Sequence, residues 1–501
     1  MPLHRQSILT VLIAGAALAV APASACAARP LWLGFDEPTL ISAPDSTDPA
    51  NNAALVITNR VKATGSRFQR VALSWREIAP KRPRNPKAWN DPAYRWGYAD
   101  AALRAVADER PTIGSGLEPI LTIESAPDWA QVSKRPRTAE LNRYPGAWKP
   151  DVNAVRDFAY ALASRYAGGR KNIRGRLLPR VRRFQFWNEP NLSTHLSPQY
   201  DARRKPFAPL WYGRMLKAFR EGARAGGGSS VFVIGAGMAP FGNVSGASAG
   251  ISPQLFARTV LCLARSRRGL VALAGCMPTA FDAWAQHPYD IAGSPFRGAD
   301  PDHQRGVVAD LPSIRTALDR AVALKTVVPA LRKPLWVTEF DWWTKPPAKS
   351  FGSTPEGAAN WTVESLWRMW AAGVDVVVWY RLRDHQAWPG GLWFSGSSLK
   401  PSLLTPDLLD ADTPKPGLQR FIWPMRITGG AKPYAWGVVP CRRAGVAVTV
   451  QRAAGTGWAT QGSGKTSSSG VFQVMLRSRP RATWRVMAPE GCGGASPTWR
   501  T

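Results

Sequence analysis

Short apolar, β-branched runs recur along the chain at 31–35, 70–74, 119–123, 183–187, 231–235, 281–285, 335–338 and 374–380. Between them lie amphipathic stretches with a period near 3.6, at 51–63, 94–109, 152–166, 210–225, 253–266, 314–328 and 356–372. That period places apolar side chains on one helical face. Eight strands alternating with helices predict a (β/α)8 barrel in preference to an open sheet. No G-x-G-x-x-G opens a helix after the first strand, so a dinucleotide-binding fold loses support.

After Pro424 the texture changes. Short alternating runs at 446–451, 471–476 and 483–487 are separated by Gly/Ser-rich segments such as 462–470. This predicts a small β-sandwich. The expected organisation is therefore a leader at 1–27, a barrel at 28–425 and a C-terminal β-domain at 426–501.

The leader rests on the start of the chain. His4 and Arg5 precede an uncharged apolar run from Ile8 to Val20, followed by Ala23-Ser24-Ala25-Cys26-Ala27. A basic start, a short apolar run and small residues around a cleavage point describe a secretory signal. The run is too short to span a membrane comfortably. Cys26 raises a lipoprotein reading, although Ala23 stands where Leu or Val is preferred. Without Cys26, four cysteines remain. In an exported chain they predict two disulfides, paired nearest along the sequence as Cys262–Cys276 and Cys441–Cys492.

Charge narrows the partners. The 501 residues carry 65 Lys+Arg against 34 Asp+Glu, a net charge of +31. The basic residues are scattered, with no long basic run and no nucleic-acid motif, so a nucleic-acid partner is not expected. A generally basic surface remains, with affinity for an anionic cell-wall polymer as the functional form of it. The tail from 426 is the extreme case, with eleven Lys/Arg and one acid, Glu490. Tryptophan is abundant at 23 residues, which favours stacking on an oligo- or polysaccharide.

In a (β/α)8 barrel the chemistry sits at the C-terminal ends of strands. The fourth run ends Phe186-Trp187-Asn188-Glu189-Pro190-Asn191, and the seventh ends Val337-Thr338-Glu339-Phe340. Each leaves a carboxylate at the mouth beside aromatic residues. Paired carboxylates are what glycoside hydrolysis requires, one protonated to donate and one ionised to attack.

The Trp187–Asn191 segment resembles the W-N-E-P motif of clan A glycoside hydrolases, notably families 5 and 39. Thr338-Glu339-Phe340 resembles their strand-seven T-E-[FY] motif. The resemblance spans roughly 31–425 in element order and implies a retaining barrel enzyme that needs no cofactor. It makes Glu189 the general acid/base and Glu339 the nucleophile, with Asn188 on the sugar 2-hydroxyl. It also places His287 and Tyr289 (from His287-Pro288-Tyr289) in the cleft, Arg70 beside the nucleophile and Trp379 as the aromatic platform. Family 5 members often carry a His after strand three, whereas this chain has Glu124-Ser125-Ala126-Pro127. The segment Ala126-Pro127-Asp128-Trp129 is closer to family 39.

Trp342, Trp343, Trp388 and Trp393 follow the last two strands and suit further sugar subsites. Gly246-Ala247-Ser248-Ala249-Gly250 satisfies G-x-S-x-G, but a nucleophile elbow needs a strand directly before the Ser and a helix directly after it. The five histidines show no paired spacing, so a catalytic metal is not expected. A transglycosylase, or a sugar-binding barrel without turnover, remains an alternative to hydrolysis.

Overall fold

The computed structural model describes residues 28–43, 52–108, 114–171, 175, 177–242, 250–397, 400–478 and 480–501. The predicted leader and most of the G-x-S-x-G segment lie outside these residues.

Eight parallel strands close into a barrel. They are β1 (Trp32–Asp36), β2 (Phe68–Ser74), β3 (Glu118–Glu124), β4 (Arg183–Phe186), β5 (Phe232–Met238), β6 (Ala283–Gln286), β7 (Leu335–Val337) and β8 (Val374–Tyr380). Each strand pairs with its sequence neighbours, and β1 pairs with β8 to shut the ring. All eight fall on the runs predicted from sequence. Helices α1 (Ala53–Ala63), α2 (Gly97–Ala107), α3 (Val152–Tyr166), α4 (Ala208–Gly227), α5 (Pro253–Val260), α6 (Leu311–Ala323), α7 (Pro355–Ala371) and α8 (Pro416–Ile422) each follow one strand.

Local chemistry sets the helix ends. The Asp151 carboxylate accepts from Ala154 N at 2.8 Å to start α3, and the Thr354 hydroxyl accepts from Gly357 N at 3.1 Å to start α7. At the end of α4, Gly228 has φ +83°, the left-handed region in which a side chain is strained.

Alternation along the strands separates two layers. Phe68, Ile120, Ile234, Trp336, Val376 and Val378 pack together inside the barrel. Their neighbours Val71, Leu121, Val233, Val337 and Val377 face the helices in the main core. Much of the tryptophan serves packing: Trp75, Trp187, Trp284, Trp379 and Trp436 are fully buried in that core, and Trp423 and Trp484 in the separate core of the C-terminal region.

Two helical expectations run too long. Helix α5 stops at Val260, and a hairpin of Leu263–Ser266 with Gly269–Ala272 replaces its predicted end. Cys262, at φ +54°, turns the chain there and lies at disulfide distance from Cys276, with Cα atoms 5.5 Å apart. Helix α6 stops at Ala323, and Val327–Val328 instead pairs with Thr279–Ala280.

The C-terminal region forms two antiparallel sheets around one apolar core that includes Met425, Val450, Phe472 and Trp484. One sheet runs β9 (Met425–Ile427), β10 (Tyr434–Val438), β13 (Val471–Met475). The other runs β12 (Gly457–Lys465), β11 (Ala447–Ala454), β14 (Thr483–Met487), β15 (Trp499–Arg500). The predicted turn at 462–470 is therefore wrong over its first part, because Gly462–Lys465 belongs to β12. Glycine is needed there for closeness: a Cβ on Gly462 would meet Val474 Cγ1 at 2.9 Å. Cys441 and Cys492 form the second pair, with Cα atoms 4.6 Å apart.

These sheets are fastened to α7. Arg426 lies over the Trp367 ring at 3.7 Å and donates to Glu364, while Trp367 Nε1 donates to Tyr434 Oη at 3.1 Å. Among the described residues, no helix is long and apolar enough to cross a membrane.

Candidate active site

The strand ends bring six of the seven predicted site residues together. Arg70 stands on the inner face of β2 and is fully buried. A buried guanidinium must spend its donors. Nε donates to Thr122 Oγ1 at 2.9 Å, one Nη donates to Asn188 Oδ1 at 2.8 Å, and the other serves Glu339 Oε1 at 2.6 Å and Asp36 Oδ2. One cation thus holds two carboxylates and fixes Asn188 beside Glu189.

Tyr289 donates its hydroxyl to Glu339 Oε2 at 3.1 Å. His287 is fully buried and bridges the two motifs: Nδ1 lies 3.1 Å from Glu189 Oε1, and Nε2 lies 3.0 Å from Thr338 Oγ1. Beneath it Gly237 has φ +80°, and a Cβ there would meet His287 Nε2 at 3.0 Å and Gln185 Nε2 at 2.4 Å. Only glycine leaves room for the ring. The turn that follows β4 and carries Glu189 is itself strained, with Trp187 at φ +69° and Glu189 at φ +41°. Trp187 Nε1 holds that turn through His195 O at 2.8 Å.

The two glutamates sit in different fields. Burial pushes the Glu339 carboxyl up, but His287, Arg70 and the hydrogen bonds from Tyr289 and Arg70 outweigh it, so its pKa falls below the usual value. Burial pushes Asp36 up to about 6, against the pull of Arg70 and with the help of the Glu339 charge. Glu124, at the end of β3, is also raised by burial. Oxygen and nitrogen atoms of Glu189, His287 and Glu339 lie within 4.8 Å of one another. Three such ligands would fit a small cation, but the Arg70 guanidinium already stands against Glu339 and opposes a second positive charge.

Arg70, Asn188, Glu189, Tyr289 and Glu339 line a cleft of about 930 Å³, which is the size of a ligand site, while the predicted cleft residue His287 lies buried behind Glu189 and does not line it. Tyr380 and Trp388 supply its aromatic wall, their rings 5.5 Å apart at 89°. Trp388 Nε1 donates to Asp341, whose buried carboxyl is raised well above its ordinary range.

Trp379 is a correction. It is 1% exposed, donates Nε1 to Gly390 O at 3.0 Å and packs edge-on against Phe340 and Phe421. Strand parity explains this. Val376 and Val378 point into the barrel, so Tyr380 continues that face and Trp379 points to the helices. Trp342 is likewise buried, with Nε1 on Ser365 Oγ at 2.9 Å. Of the four loop tryptophans only Trp388 lines the cleft. Sequence reasoning missed Asp36 and Tyr380. Asp36 ends β1, so the rule that carboxylates at strand ends carry chemistry would have found it.

No family model matches the sequence, and no curated protein sequence matches it. Solved structures do. A family 39 glycoside hydrolase from the gut symbiont Bacteroides cellulosilyticus WH2 superposes with TM-score 0.51 at 15% identity, over 89% of this chain and 81% of that one. A GH5-4 broad-specificity endoglucanase from Clostridium acetobutylicum gives TM-score 0.42 at 14% identity, over 76% and 96%. A GH5 xyloglucanase from Bacteroides ovatus gives 0.40 at 11%, over 78% and 74%. At such identity the first likeness is one of fold: this chain has the barrel architecture of that family 39 enzyme.

Proposed function

We propose that the chain is an exported, retaining glycoside hydrolase acting on a β-linked oligo- or polysaccharide. Residues 28–425 form its catalytic barrel and 426–501 an accessory β-domain. One observation carries the reading: two carboxylates face each other in an aromatic cleft, close together and in unlike surroundings. Their nearest oxygens lie within 4.8 Å. That is closer to the separation of retaining pairs, about 5–5.5 Å, than to that of inverting pairs, about 6.5–9.5 Å.

Glu339 is kept ionised by Arg70, His287 and Tyr289, so it is the nucleophile. Its oxygen attacks the anomeric carbon while the bond to the leaving oxygen breaks. Glu189 supplies the proton to that oxygen and is left ionised beside His287. It then takes a proton from water, whose oxygen attacks the same carbon and displaces Glu339. Two inversions give net retention. Asn188, held by Arg70, is placed to meet the sugar 2-hydroxyl. The leader-like start, two cysteine pairs and the fold likeness to a family 39 enzyme support export and sugar chemistry.

The test is turnover of a panel of aryl β-glycosides and polysaccharides by the mature chain beside Glu339→Gln. Cleavage that disappears in the variant is expected. Equal turnover by both proteins would contradict the assignment. Sugar binding without turnover by the wild type would replace it with a binding protein.

A further inference from the structure

A second hollow, of about 690 Å³, adjoins the catalytic cleft. Its walls come from the chain after β2, from the loop after β3 and from Thr194 and His195 after β4. Glu124 lines both spaces, so they meet at this side chain.

Their charge differs. The cleft presents Asp36, Glu37, Glu124, Glu189, Asp290 and Glu339 against Arg70 and Arg297. The hollow presents Arg76, Arg95, Arg143 and His195 against Glu77, Asp128 and the shared Glu124. Asp128 is already committed. Arg76 grips both of its oxygens at 2.8 and 2.7 Å, and Arg135 adds a third contact at 2.5 Å. Those hydrogen bonds, Arg76's first, hold its carboxyl down to about 2. Burial favours the neutral form of Glu124. Arg95 and Arg143 make no ion pair with any described residue, and Arg143 rests only on the Tyr144 ring at 5.4 Å. Exposed arginines are common on a chain of net charge +31, but these two face a concave space joined to the catalytic cleft.

The hollow is built before any ligand arrives. Ser125 sits at φ +62°, and Gly146 packs so closely on it that a Cβ would meet Ser125 Oγ at 2.0 Å. Ala126 N donates to Gly146 O at 3.0 Å, and Gln131 Nε2 donates to Pro145 O at 2.9 Å. The wall that carries Arg143 is thereby fixed to the end of β3.

We infer that this hollow seats a uronate residue of the substrate, with Arg95 and Arg143 on its carboxylate, so that the enzyme cuts an acidic heteroglycan at a neutral sugar near an acidic one. The inference rests on the hydrolase reading. The acid-rich cleft repels an anionic sugar at the cleavage point, whereas the hollow beside it offers Arg95 and Arg143, which no described carboxylate engages. A guanidinium fork matches a planar carboxylate, and a sulfate ester offers the same charge with different geometry.

The experiment compares glucuronoxylan and xanthan oligosaccharides with their carboxyl-reduced forms, a sulfated carrageenan oligosaccharide and a small aryl β-glycoside. The proteins are the wild type and the double variant Arg95→Gln, Arg143→Gln, whose side chains are exposed and outside the catalytic machinery. The wild type should favour the acidic form in kcat/KM by about ten- to a hundredfold, mainly through KM. That preference should shrink with added salt. The double variant should lose it and keep its rate on the aryl glycoside. Equal rates on acidic and reduced forms overturn the inference, as does a preference retained by the double variant. A preference for the sulfated probe overturns the carboxylate assignment. Cleavage of the aryl glycoside without any acid preference leaves the hydrolase reading standing and removes only this one. If nothing at all is cleaved, the hydrolase reading falls, and calorimetry with the same probe pairs still decides the hollow: equal affinity for acidic and reduced forms overturns it.

Discussion

Replacing Tyr289 by Phe removes one oxygen from the site and little else. The phenol donates to Glu339 Oε2 at 3.1 Å, while its ring is packed by Trp388 at 5.5 Å and Tyr380 at 6.2 Å, contacts that a phenyl ring keeps. The lost hydrogen bond favours only the ionised form of Glu339. A hydrogen bond to a charged group contributes about 1.5–3 kcal/mol. One pKa unit corresponds to about 1.4 kcal/mol. At 3.1 Å the contact is long for an O–H donor, so the lower end applies and the Glu339 pKa should rise by about one unit. Glu339 must be ionised to attack. Raising its pKa therefore moves the acid limb of kcat/KM upward by about one pH unit. The assay is a pH profile on an aryl glycoside for the wild type and Tyr289→Phe. An acid limb that does not move would refute the reasoning, because Glu339 would then not owe its ionisation to this contact.

Four further outcomes follow from the same geometry. Trp388→Ala should raise KM about tenfold by removing the cleft's aromatic wall. Trp379→Ala should instead lower stability by about 3–5 kcal/mol, read from denaturant unfolding, because that ring fills the core. Asp36 is raised to about 6 in the folded chain. The proton it retains contributes stability that is full below the unfolded carboxyl pKa and is lost as pH rises through about 6, so Asp36→Asn should remove that decline in thermal scans. Breaking Cys441–Cys492 with paired serines should cost about 2–4 kcal/mol, with the loss concentrated in protease resistance of the C-terminal strands.

The barrel was legible because each of its strands is a compact apolar run set between helical periods, a pattern that needs no tertiary knowledge. The proposed catalytic pair was legible for the same reason, since Glu189 and Glu339 stand directly after two such runs. The errors have physical causes. Trp379 and Tyr380 are adjacent aromatics, and only the inward facing of Val376 and Val378 decides which one reaches the cleft. Helical periodicity at 253–266 was overridden by the turn at Cys262 and its link to Cys276. Gly462 and Gly464 read as turn residues but are strand residues selected for closeness to Val474. Asp36 stands one residue beyond the apolar run 31–35, so the apolar pattern alone does not place it on the strand. Arg95 and Arg143, which make no ion pair among the described residues, come from separate segments after β2 and β3, so no local motif announces them.

The central claim is that Glu339 attacks the sugar. It is tested most directly by trapping. The chain would be incubated with the 2-deoxy-2-fluoro analogue of whichever aryl glycoside it cleaves, digested and sequenced by mass spectrometry. The account predicts a single glycosyl adduct on the peptide containing Glu339, and none in Glu339→Gln. An adduct on Glu189 or elsewhere, or an inverted product anomer from the unmodified substrate, would contradict it.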